Sequence, residues 1–196
     1  METPISLSQE PSTTLKGKGF GVRAGAYIID AIVIAIASFA ISFIIGIILG
    51  IVFVATGRNI NFADGRSTGL NILVGIILST LYFIIFEWLY GATPGKLILS
   101  MRVIMEDGKP CSLGAATIRA LLRYVDGFFF GIPALSSMKE PLLQRIGDRS
   151  AKTIVVGSKD SYIQQPREWW WFLLASAAYL GLDTITVVVQ LLVALR

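Results

Sequence analysis

Apolar residues run almost unbroken through three stretches, 24–54, 69–90 and 169–195, and charged or turn-forming residues collect between them. A helix needs ~20 mainly apolar residues to cross a bilayer, so each stretch predicts a transmembrane helix. The first, about 31 residues, is near 46 Å long at ~1.5 Å rise per residue and must tilt or protrude from a ~30 Å hydrocarbon layer. Gly46 and Gly50, with Ala31 and Ala35, form small-xxx-small pairs on it, which suit close helix packing inside the fold. The second ends at Glu87 and Trp88 between Tyr82 and Tyr90, which reads Glu87 as an interfacial neighbour of an aromatic belt. The third opens on the anchor Trp169, Trp170 and Trp171 and holds Asp183 at its midpoint, where a lone carboxylate should face protein or water.

Residues 114–138 read differently. They begin as an Arg-bearing amphipathic helix, AATIRALLRYVD, and become wholly apolar in GFFFGIPALSS, where Gly131 and Pro133 predict a break. Two basic residues lie in 57–67, three in 91–113 and six in 137–168. Positive-inside reasoning puts the last two regions on the cytoplasmic face, so 114–138 is drawn as an interfacial helix and a re-entrant tip. LILSMRVIM running into EDGKP reads as a strand and a turn at Asp107-Gly108, and TIVVG at 153–157 as a second strand able to pair with it. The fold class that follows is an all-α polytopic membrane protein with three transmembrane helices, an interfacial and re-entrant segment, and a small cytoplasmic β-hairpin-like module. Residues 1–17 form a loose tail, 18–158 one domain, and 159–196 a linker with an extra C-terminal helix.

Composition agrees: a mean hydropathy of +0.70 with 54% hydrophobic and 15% charged residues exceeds what a soluble core of this size can bury. The net charge of +4 lies along the membrane edge and suits anionic lipid headgroups, not nucleic acid. No histidine is present and Cys111 is the lone cysteine, which excludes Ser-His-Asp catalysis, HExxH zinc sites, internal disulfides and thiolate clusters. With no phosphate-binding Gly-rich loop either, the reading is no enzyme, no metal and no cofactor.

The candidate residues are therefore the charges inside or beside apolar runs. Arg23 and Asp30 stand seven residues apart, two turns along one helix face, and RAGAYIID is echoed by RALLRYVD from Arg119 through Arg123 to Asp126. For the second set, pairs within one helix or contacts to lipid phosphate are the plain reading. Arg145 and Asp183 complete the secondary candidates.

Three blocks then coincide. FGVRAGAYIIDAIV holds Arg23 and Asp30; GATPGKLILSMRVIMEDGKPCS has the form GxTxGK followed by a strand and a turn; LLQRIGDRSAKTIVV has the form RxGDxxAxTxVV and holds Asp148. Together, from about Gly19 to Val156, they resemble the RDD family of membrane proteins, named for one arginine and two aspartates. The chain departs from that pattern after Tyr162 and at Lys152, where glycine is commoner. The resemblance implies Arg23, Asp30 and Asp148 as the family-motif charges, and ion or solute transport, including sodium-proton exchange, as the usual suggestion. Arg23 either holds Asp30 ionised or pairs with Asp148, as a structural clasp or beside an ion site.

Two functions follow. One is a small transporter, exchanging a cation or proton at Asp30, Asp126 and Asp183 and working as a homo-oligomer. The other is a non-catalytic accessory or assembly subunit packing against other membrane subunits. Either sits in the cell (inner or plasma) membrane as a multi-pass protein among anionic lipids, N-terminus cytoplasmic.

Overall fold

The computed structural model describes residues 16–56, 68–139 and 141–194. Three long helices, α1 (Phe20–Thr56), α2 (Thr68–Leu89) and α6 (Trp170–Ala194), account for the three apolar runs, and each is long and apolar enough to cross a membrane. Between α2 and α6 lie α3 (Pro94–Ile98), β1 (Met101–Met105), α4 (Leu113–Ser137), α5 (Ile146–Ser150) and β2 (Thr153–Gly157).

The two strands pair antiparallel, with Val103 opposite Val155. They are no local hairpin, because α4 and α5 intervene. Alternation divides their apolar residues between two faces. Met101, Val103 and Val155 pack with Ala26, Cys111, Ala115 and Ala116, while Ile104, Ile154 and Val156 pack against Leu142 and Tyr162. A third cluster joins α2, α4 and α6 through Tyr82, Phe86, Ala120 and Tyr179.

Several expectations are corrected. The strand read from Leu97 begins only at Met101, because Thr93 caps and Pro94 opens a short helix first. One helix runs through Leu113–Ser137, but Gly131 at φ +84° departs from helical backbone within it, where the sequence predicts a break. Gly17, which the sequence predicts in the tail, is buried and donates to the Pro141 carbonyl at 3.0 Å, and Lys18 donates to the Val155 carbonyl at 2.8 Å. Residues 1–15 and 57–67, with the loop charges counted there, lie outside the described residues, as do Leu195 and Arg196. Gly46 and Gly50 pack against nothing within 4 Å among the described residues, so the small-xxx-small pairs do not close this fold.

Candidate functional site

The first turns of α1 bury only Arg23, Ala26 and Asp30 on that helix, and the two charges part company. Arg23 turns to α5, where its Nη1 pairs with Asp148 Oδ2, and its Nε donates to the Lys18 carbonyl at 2.8 Å. Asp30 turns to α3. It accepts from Tyr82 Oη at 2.8 Å, Thr93 Oγ1 at 2.6 Å and the Gly95 amide at 2.8 Å. Gly95 is required there: a Cβ would lie 2.2 Å from the Ala26 carbonyl oxygen and 2.9 Å from the Asp30 carboxyl carbon. The GxTxGK block is thus a cradle for Asp30, its Thr and second Gly supplying donors. A buried carboxylate taking three donors without a cation beside it is held by hydrogen bonding.

Arg119 and Asp126 on α4 diverge in the same way. Arg119 joins Asp148 through Nη1 and Glu87 through Nε at 2.7 Å, and also donates to Thr153 Oγ1 at 2.7 Å. Asp126 Oδ2 accepts from the Gly147 amide of α5 at 3.4 Å. Neither pairs within its own helix, and Arg119 is 2% exposed, so the lipid-phosphate reading of Arg119 is overturned.

Glu87 is the residue that sequence reasoning placed wrongly. It is fully buried and takes Lys96, Arg119 and, at 2.9 Å, Arg123, whose guanidinium also stacks 3.4 Å over the Phe83 ring. Aromatic neighbours suited an interfacial belt equally well, and only the lysine of GxTxGK, nine residues on, hinted at a partner. Tyr82, Thr93, Lys96 and Thr153 were missed with it.

One buried network therefore runs from α1 through α5 and α4 to α2 and α3. Five cations, Arg23, Lys96, Arg119, Arg123 and Arg145, meet two carboxylates, Glu87 and Asp148. Burial would push the Asp148 carboxyl up, but the guanidiniums of Arg119, Arg145 and Arg23 hold it far below the usual carboxylate range. Burial, reinforced by Arg123 and Arg119 and opposed by Glu87, brings the Lys96 ammonium down to about 8. The thiol of Cys111 is pushed up to about 12 by burial, which leaves it unreactive.

Next to the network a cavity of about 430 Å³ opens among α1, α2, α4 and the start of α5, lined by Arg23, Arg123, Asp126 and Arg145. Asp183 is elsewhere: it is buried between α6 and α1 and accepts from Ser38 Oγ at 2.9 Å, facing protein as anticipated. Among the described residues, no group of three or more His, Cys, Asp or Glu side chains is placed to hold a metal ion.

Compared with known proteins, residues 18–152 match the model of the RDD family. No curated protein and no solved structure matches the chain.

Proposed function

The chain belongs to the RDD family, and from that premise we propose that it is a membrane-embedded carrier of an ion or small solute that works as a homo-oligomer. The observation behind this reading is the cavity beside the buried network, about 430 Å³ and lined by charged side chains within a helical membrane protein. Three spanning helices are too few to enclose a pathway, so several copies are needed. The three candidate carboxylates carry unequal weight. Asp30 is committed to three donors and Asp183 to Ser38, whereas Asp126 Oδ1 has no hydrogen-bond partner among the described residues and Asp126 lines the cavity. Asp126 is therefore the titratable group best placed to couple a proton to transport.

The basic stretch 137–168 supports a cytoplasmic position for it and for the N-terminus in the cell membrane, with the C-terminus opposite. Accessibility labelling of a cysteine at position 159 in a Cys111→Ser background tests this: protection from an external reagent in sealed cells is the expected result.

Transport is tested by reconstituting the full chain in liposomes. Ion or solute flux that changes its pH dependence in Asp126→Asn supports the carrier, and silence in a folded, oligomeric sample removes it. A second reading is an accessory subunit. In its favour, the most apolar 18-residue window of α1 has 0% of its residues buried, leaving that face for other helices. Recovery of the chain with other subunits after mild detergent extraction would support it.

A further inference from the structure

The cavity wall combines three guanidinium groups with a single carboxylate. Arg23, 5% exposed, spends Nη1 on Asp148 and leaves Nη2 without a hydrogen-bond partner among the described residues. Arg123 Nε and Arg145 Nε are likewise buried and unpartnered, the latter 3.7 Å from Asp148 Oδ2 without bonding it. Buried donors left open in this way are costly unless something accepts from them. Each of the three arginines lines the same cavity, and Asp126 is the lone carboxylate there among the described residues. The wall therefore carries an excess of two positive charges. Its arginines come from α1, α4 and the residue that caps α5, and Phe20 and Phe83 form apolar wall beside them.

We propose that this cavity binds a phosphate-class oxyanion, held by Arg23, Arg123 and Arg145. Guanidinium forks match phosphate oxygens in geometry and charge, and a tetrahedral anion presents acceptors in several directions at once. Asp126, on the same wall, disfavours a dianion and suits a singly charged phosphate or phosphodiester. The ligand is either free phosphate or the headgroup of an anionic lipid entering beside Phe20 and Phe83. The site deepens the carrier reading by giving its solute a charge, and it is measurable without flux.

The experiment uses the full chain in detergent, with equilibrium binding of inorganic phosphate and of dioctanoyl phosphatidate measured separately. Saturable binding of either is expected, weakened about tenfold in Arg145→Gln by loss of one charge-assisted donor. In Asp126→Asn, which removes the repelling charge, binding should tighten. Phosphatidate bound much more tightly than phosphate identifies the lipid source; equal or tighter phosphate identifies the free anion. No saturable binding of either probe in protein that melts cooperatively overturns the site. So does binding indifferent to both substitutions, or a cavity that takes a monovalent cation and loses it in Asp126→Asn. Anion binding without liposome flux leaves the site standing and removes the carrier reading alone.

Discussion

Two parts of this molecule are built to one plan. In the first, α1 presents Arg23 and, seven residues on, Asp30, whose carboxylate accepts the Gly95 amide at the start of α3. In the second, α4 presents Arg119 and, seven residues on, Asp126, whose carboxylate accepts the Gly147 amide at the start of α5. Five residues past each glycine stands a non-glycine with positive φ, Ser100 at 51° and Lys152 at 50°, and the next residue begins a strand. Val103 and Val155, each eight residues past its glycine, face one another in the strand pair. The echo of RAGAYIID in RALLRYVD is thus the visible part of a repeated pattern of contacts that ends in the paired strands.

The differences show which positions have specialised. The residue after the glycine is Lys96 in one part and Asp148 in the other, opposite charges that both enter the central network, one on Glu87 and the other between Arg23 and Arg119. Asp30 has Tyr82 and Thr93 as further donors, while Asp126 has its glycine amide and a buried oxygen with no hydrogen-bond partner among the described residues. The two copies of the repeat are thus satisfied to different degrees.

The largest effect should come from breaking the arginine that the two parts do not use equally. Arg119→Ala removes the cation shared by Glu87 and Asp148, leaving Lys96 and Arg123 on the first and Arg23 and Arg145 on the second, and should cost the ~3–5 kcal/mol typical of a buried pair losing one partner. Arg23→Ala, which removes one of the three arginines around Asp148 and none from Glu87, should cost less. Thermal unfolding of both variants in detergent checks the order, and equal losses would remove the asymmetry.

Acid should expose the same centre. The carboxyl of Asp148 is depressed in the folded protein, so below about pH 4 the unfolded chain binds more protons and stability falls as pH falls. Stability should hold across neutral pH and drop in that acid range, and Asp148→Asn should flatten the drop. The carboxyl of Asp126 moves the other way, raised by burial. Asp126→Asn should therefore melt at or above the parent temperature, whereas Asp30→Asn should lose ~1–3 kcal/mol through mismatched buried donors. Matching losses in the two variants would show that the two carboxylates are equivalent after all.

The smallest effect concerns the paired left-handed positions. A non-glycine residue there costs roughly 1–2 kcal/mol, partly offset by the extra chain entropy of glycine when unfolded. Lys152→Gly and Ser100→Gly should each raise stability by about 0.5–1 kcal/mol, measurable as a modest rise in melting temperature.

The sequence by itself determined the three long apolar helices, the strand pair around Val103 and Val155, and the blocks in which the site lies. Each is a local signal, written in hydrophobic runs, alternation and turn residues that the chain obeys wherever it is placed. Only the tertiary structure decided which charge meets which. Arg23 reaches Asp148 across 125 residues instead of Asp30 across seven, and Glu87 leaves its aromatic surroundings for three cations from α3 and α4. A buried charge selects partners by the distance and desolvation that packing imposes, and these depend on how separate segments come together, which no local spacing records.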